Sequence, residues 1–307
     1  MSTTSLYALC VLIWGTTWFA ITAQIDAIAP ELGVALRFGL AAAALFIFCL
    51  WRGITLRFAP RMQALFALQG FAGFSASYVC IYHAERFVVS GVVAVGYAAS
   101  PLVGLVTARL FLGTPMSRRV AVGGAAGLAG VALIFAQEFG RLGMSSEVIL
   151  GAVLTAAAVL LSSVSTIAAA LYQRAGVSGW APLAYAMGYG AFGALVAALV
   201  AGRPWHIAWS LPFVVSLAYL TLAGSIVAFG AFYGLVHRIG PAKAGYIGVL
   251  TPVVALAVSS LLEGFAWTGE TVAGVSLAIA GNVIAMWQPR PAAALPQPSE
   301  SSTTTGA

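Results

Sequence analysis

GYAASPLVGL, residues 96–105, and IGVLTPVVAL, residues 247–256, each carry a hydroxyl–proline pair inside an apolar run. Ser100-Pro101 returns as Thr251-Pro252, 151 positions later. Proline removes one backbone donor and clashes with the carbonyl four residues back. Hydrocarbon does not tolerate polar backbone freed in this way, whereas a polar cavity inside a bundle does. The pair therefore points to two bent segments lining an internal pathway, with Ser100 and Thr251 bonding some of the freed carbonyls. For either proline alone, a static kink that only improves packing is the competing reading.

Shifting the chain by the same 151 positions aligns Gly73 with Gly224, Tyr82 with Tyr233, Gly113 with Gly264, Gly123 with Gly274 and Gly130 with Gly281, without a gap. Composition says what is repeated. Hydrophobic residues make up 61% of the 307 and charged ones 7%, and mean hydropathy is +0.99, which no water-soluble globule of this length could hide. Cutting at each charge leaves ten apolar stretches, near 5–25, 38–51, 62–84, 87–108, 120–137, 148–173, 175–202, 204–237, 244–262 and 271–289. Each supplies the roughly 17 to 25 residues a membrane-spanning helix needs, once the second is extended back to Glu31. The expected fold is all-α and integral to the membrane, with ten transmembrane helices arranged as two inverted five-helix repeats around a central cavity. The expected units are 1–137 and 148–287, followed by a Pro-, Ser- and Thr-rich tail, 288–307, that reads as disordered.

With the N-terminus in the cytoplasm, ten of the fourteen Lys and Arg residues face inward, among them Arg52, Arg57, Arg61, Arg109, Arg118 and Arg119. Basic loops inside are the rule for membrane proteins, so both termini are expected to be cytoplasmic. The net charge of +6 is explained by an anionic inner leaflet, and nucleic acid is not expected as a partner. Met1-Ser-Thr-Thr-Ser carries no basic side chain, and the run after it is too long for a signal peptide, so the first stretch is expected to stay as a helix. Cys10, Cys49 and Cys80 lie inside spans at no metal-ligand spacing. No metal or cofactor is expected.

An odd number of spans per unit turns the second copy over in the bilayer, and inverted repeats with a midplane binding site are a mark of secondary transporters. Three stretches carry a resemblance: LCVLIWGTTWFA in the first span, SPLVGLVTARLFLGTPMSRRVAVGGAAGLAGVALI from the fourth into the fifth, and TPVVALAVSSLLEGFAWTGETVAGVSLAIAGNVI from the ninth into the tenth. In these the chain resembles the EamA-type branch of the drug/metabolite transporter superfamily, and within it the bacterial YddG-type amino-acid exporters. The resemblance implies ten helices, a basket-like cavity lined by spans one, three, four, six, eight and nine, an inner-membrane location and export to the periplasm. Thr114 and Phe265 stand where that family commonly has Glu after Gly113 and Gly264.

Side chains that could hold cargo are Trp14 and Thr17 in span one, Tyr78 and Tyr82 in span three, and Tyr97 and Ser100 in span four. From the second half come Ser163, Phe229, Tyr233, Tyr246 and Thr251, with Pro101 and Pro252 as hinges. Tyr78 and Tyr82 are four apart, on one helical face. Rings and hydroxyls suit a small zwitterion with an apolar side chain, the rings taking the side chain and the polar groups its ends. Aromatic belts at the membrane surface are the alternative, and they account equally for Trp18, His83, Trp267 and Trp287. Arg37, the one charge well inside a span, could bind a cargo carboxylate; a structural role is favoured, either snorkelling outward or bonding a neighbour's carbonyls. Small residues at every fourth position, Ala186, Gly190, Ala194 and Ala198, suit close packing within a monomer, with a dimer seam as the alternative.

Every acid maps to a span end, a loop or the tail, so a coupling carboxylate inside the bundle is not expected. Gradient-driven facilitated export, or coupling through an unrecognised site, follows. Exporters of drugs or other metabolites are the alternative in the same superfamily. An intramembrane enzyme is the remote one, since GxSxG and HExxH are both absent from the sequence and no paired acids are placed for catalysis.

Overall fold

Residues 1–113, 118–142, 145–245 and 247–286 are described by the computed structural model, and all regular structure among them is helical. The tail and Tyr246 lie outside the described residues. Among the described residues, eight helices are long and apolar enough to cross a membrane: Thr3–Ile25, Pro30–Trp51, Pro60–Ala84, Ser90–Phe111, Arg118–Ala136, Ser146–Arg174, Trp180–Val200 and Leu211–Val236. Two shorter apolar helices, Ile247–Leu262 and Gly269–Ala285, fall where the ninth and tenth spans were expected.

Local chemistry sets the boundaries. Pro30 and Pro60 open their helices, where the missing N–H would have no partner anyway. Ser2, Ser145 and Ser210 accept first-turn N–H groups as caps, satisfying donors that would otherwise be orphaned. At the C-terminal ends, Gly113 and Gly264 adopt φ of +65° and +69°. After Ile247–Leu262, the Phe265 N–H reaches back to the Ser259 carbonyl at 3.1 Å, the wrapped ending that a left-handed glycine permits.

Two helices depart from α geometry at corresponding places. Gly70–Ser77 and Leu220–Val227 are π-helical, a widened turn that is rare and concentrated at functional sites. The first packs against Ser146–Arg174 and Trp180–Val200, the second against Thr3–Ile25 and Pro30–Trp51. Each π segment is thus seated on two consecutive helices far from it in sequence.

Arg118–Leu142 and Gly269–Met286 pack together more extensively than any other pair. A methyl group on Gly123 would stand 2.5 Å from the Gly281 carbonyl oxygen, and one on Gly130 would stand 2.5 Å from that of Gly274. The backbones touch because those positions have no side chain. Gly123 and Gly130 correspond to Gly274 and Gly281 in the shifted alignment, so the contacts are reciprocal.

The proline segments differ from one another. The fourth segment is interrupted at Ala98 and Ala99, between Ser90–Tyr97 and Ser100–Leu112, so Pro101 is the second residue of a new helix. Pro252 lies inside the continuous helix Ile247–Leu262.

Candidate functional site

Arg37 organises the interior. It is 1% exposed, its Nε donates to the Ser225 hydroxyl at 3.1 Å, and its guanidinium lies 4.8 Å from the Tyr78 ring centre and 5.0 Å from that of Phe38. Neither snorkelling nor a bond to a neighbouring carbonyl describes it. The partner is a hydroxyl in the second π segment, and that hydroxyl donates in turn to the Leu220 carbonyl. Aromatic faces and a hydroxyl replace part of the water an arginine loses on burial. Nη1 has no hydrogen-bond partner.

Around this contact the expected residues divide. Tyr78 packs edge-on to Phe38 at 4.7 Å. Phe38 leads to Phe74 and Phe74 to Phe229. Phe229 meets Trp14 at 5.2 Å and Tyr233 at 6.5 Å. Trp14 donates its indole N–H to the Gly224 carbonyl at 3.2 Å, so a π-segment carbonyl is held by the first helix. Tyr97 packs against Trp18 at 5.4 Å; Trp18 is buried there and does not belong to a surface belt. Tyr82 is fully buried, and its hydroxyl donates to Gln24 Oε1 at 3.2 Å. Tyr78, Phe38, Phe74, Phe229, Trp14 and Tyr233, from the first, second, third and eighth of these helices, form one continuous run of ring contacts beside Arg37, with Trp18 and Tyr97 as a separate pair.

The hydroxyls are mostly committed locally. Thr17 donates to the Trp14 carbonyl, Ser100 to that of Tyr97 and Thr251 to that of Ile247. Tyr97 is four residues before Pro101, so Ser100 takes the carbonyl that this proline frees. Ser163 accepts from Thr107 and donates to the Leu160 carbonyl, away from the aromatic patch. Pro252 lines a small cavity with Val95, Ala98, Val249 and Asn282. A groove of about 400 Å³ runs between Pro30–Trp51 and Trp180–Val200, lined by Leu32, Leu36, Ala191, Leu195 and Trp205. None of the expected cargo residues lines it.

Acids at one end of the bundle were not expected to be interior, yet Glu31 and Glu85 are buried there and Glu263 is half-buried. Glu31 is 4% exposed and accepts from Arg203 Nη2 at 2.9 Å and meets His83 Nε2 at 3.0 Å; His83 is thereby a hydrogen-bonding neighbour of Glu31 instead of a belt residue. Glu263 accepts from the hydroxyls of Ser90 and Ser259. Glu85, just past the Pro60–Ala84 span, is 8% exposed, and neither of its oxygens has a partner. Burial pushes its carboxyl well above the usual carboxylate range, the Glu263 charge adds to that, and Arg37 opposes it.

Reading the chain alone missed Arg37–Ser225, both π segments, Phe38 and Phe74, and the burial of Glu85. Only Arg37 carried a signal, as the lone charge deep in a span.

Comparison with known proteins bears on this arrangement. Residues 2–136 match the EamA-like transporter family. The uncharacterized inner membrane transporter YedA of Escherichia coli K12 is 30% identical over 91% of this chain and 87% of its own length. An uncharacterized transporter of Archaeoglobus fulgidus is 24% identical over 90% and 96% respectively. One solved crystal structure superposes with a TM-score of 0.65 at 20% identity, covering 92% of this chain and 96% of that one, a likeness that carries the fold alone.

Proposed function

The chain belongs to the EamA-like transporter family, and from that premise we propose that it exports neutral or aromatic amino acids from cytoplasm to periplasm by alternating access. The observation that carries this reading is the ring-lined patch around Arg37 and Ser225, where the two halves meet. A guanidinium with one unbonded nitrogen offers a carboxylate two donors, and Tyr78, Phe38, Phe74, Phe229 and Trp14 offer an apolar side chain aromatic surface. Arg37 thus changes role from the structural one that the chain alone favoured.

Support for two inverted halves comes from reciprocity. Each π segment sits on the opening helices of the other half, and Gly123 meets Gly281 as Gly130 meets Gly274, which is how a two-fold relation pairs surfaces. In this reading Ile247–Leu262 and Gly269–Met286 serve as spans nine and ten, the units are 1–137 and 148–287, and both termini are cytoplasmic. The π segments, carrying Gly73 and Gly224, are the places where the wall can change register. Pro101 and Pro252 mark the moving segments, and the YddG-type exporters remain the model for cargo. The protein acts as a monomer.

Purified protein in liposomes, preloaded with unlabelled phenylalanine and offered radiolabelled phenylalanine, is expected to show saturable counterflow. Arg37→Gln is expected to lower it by about tenfold, the loss of one charge-assisted contact. Counterflow of sugars or cationic dyes with none of phenylalanine, leucine or tryptophan would move the cargo to the other branch of the superfamily. A linear, non-saturating flux would replace the carrier by a channel.

A further inference from the structure

Three carboxylates gather at one end of the bundle, and only one of them is without partners. Glu31 has Arg203 and His83; Glu263 has Ser90 and Ser259. Glu85 caps the Pro60–Ala84 helix through its backbone N–H, is more than nine-tenths buried, and has two unbonded oxygens. An ionised carboxylate in that place would lose its hydration without a hydrogen bond in return, and with the end closed this loss and the nearby Glu263 outweigh the attraction of Arg37, so the group holds a proton.

The groups facing it are few. Pro30–Trp51 contributes Arg37, and the end of Ile247–Leu262 contributes Glu263. Glu31, on the same helix as Arg37, is already engaged. The first helix brings Gln24 and, at its cap, the exposed Asp26; Ser146–Arg174 brings the exposed Glu147. Tyr78 and Tyr82 precede it on its own helix, and Arg86 after it is exposed. Among these, Arg37 is the buried cation, and it still has an unbonded nitrogen. Next to Glu85, the Ser90–Gly91 backbone is latched to Ser259 and Glu263.

We propose that Glu85 is a proton-controlled latch of this transporter, neutral while the Ser90–Ser259 end is latched and ionised when that end opens. On opening, its O–H bond breaks, the proton passes to water, and the resulting carboxylate is balanced by the Arg37 guanidinium. No other bond changes. Return of the proton from the same side relatches the end, so the pH on that side sets how readily the end opens. This inference rests on the transporter reading above and gives the opening of that end a pH dependence that the sequence did not reveal.

The test uses full-length protein in lipid nanodiscs and in liposomes. Infrared difference spectra across a pH titration are expected to show the carbonyl stretch of a protonated carboxyl group, lost in Glu85→Gln and kept in the exposed control Glu147→Gln. In liposomes, phenylalanine counterflow is expected to change by about tenfold between acid and alkaline pH on the Ser90–Ser259 side, and to lose that dependence in Glu85→Gln, a coupling of ordinary size. An infrared band unchanged in Glu85→Gln, or an undiminished pH dependence, overturns the proposal. So does a band that sodium displaces at fixed pH, which would make the site one for a metal cation. If wild-type protein shows the Glu85 band but moves no phenylalanine, the cargo reading fails while the proton site stands. Should Glu85→Gln not fold, Glu85→Asp must shift the band, and an unshifted band overturns the assignment equally.

Discussion

The two pieces of the fourth span, Ser90–Tyr97 and Ser100–Leu112, come from one uninterrupted apolar run but have different neighbours. Ser90–Tyr97 packs on Ile247–Leu262 and is fastened to it by Ser90, Gly91, Ser259 and Glu263. Ser100–Leu112 packs chiefly on Ser146–Arg174, a helix that Ser90–Tyr97 touches as well. Gly91 is pressed against Ser259 and Leu256, whereas Gly104 has nothing within 4 Å. The break at Ala98 and Ala99 therefore separates a closed end from a loose one. A wall shut at one end only is what a carrier caught in one of its states would present, and this asymmetry would invert in the other state.

The largest effect is expected where the closed end is tightest. A side chain on Gly91 would place its Cβ 2.7 Å from Ser259 Oγ and 3.1 Å from the Leu256 Cα, and overpacking of this sort costs about 1 to 3 kcal/mol. Gly91→Val should thus lower the thermal midpoint in detergent and shift accessibility of the Ser90–Ser259 end toward open; an unchanged midpoint would mean that this end is not tightly closed.

The same end sets the pH response. Folded Glu85 keeps its proton to higher pH than an unfolded carboxyl, whose pKa is about 4.3. The folded state accordingly binds more protons above that value, and stability declines as pH rises toward the raised folded pKa. Glu85→Gln should flatten the decline in thermal midpoint between mildly acidic and alkaline pH; a wild-type midpoint that rises over this range would contradict the burial of an unpartnered acid.

How much of this could be read from the chain follows from what a linear pattern encodes. Spans are legible because hydropathy and length are local quantities, and the 151-residue shift is legible because Pro101 and Pro252, or Gly113 and Gly264, keep their identities. The Ala98–Ala99 break had no compositional mark beyond Pro101 itself. Gly70–Ser77 and Leu220–Val227 read as ordinary apolar helix, since a π turn is fixed by what packs against it. Linear position put Glu85 at a helix end, where acids are ordinarily solvated; its burial arises from Ser90–Tyr97 and Ile247–Leu262 closing over that end, a contact between residues some 170 positions apart, as the separation of 173 between Ser90 and Glu263 illustrates. The aromatic patch was half legible: Tyr78, Tyr97, Phe229 and Trp14 were named by type and face, but Ser163 and Thr251 were named by type alone and spend their hydroxyls elsewhere.

Smaller effects sharpen the contrast between the two pieces. Ser100→Ala removes the donor to the Tyr97 carbonyl and should cost about 1 kcal/mol, the ordinary value for one hydrogen bond, measured by chemical or thermal unfolding in detergent. No loss would show that water or another group reaches that carbonyl. Gly104→Ala meets open space and adds helix propensity, so a gain of up to about 1 kcal/mol is expected, the opposite sign to Gly91→Val within one span. A loss there would mean that the loose end is packed in the membrane.

The most direct test fixes the latch covalently. Ser90 and Ser259 hold their side-chain oxygens 3.2 Å apart, so sulfur atoms in their place come within a small shift of the roughly 2.05 Å bond of a disulfide. In a background with Cys10, Cys49 and Cys80 replaced by serine or alanine, Ser90→Cys with Ser259→Cys should form that bond under mild oxidation. Phenylalanine counterflow is then expected to stop, and to return when the disulfide is reduced. Undiminished counterflow through fully oxidised protein would show that this end never needs to open, and the alternating-access account would be wrong.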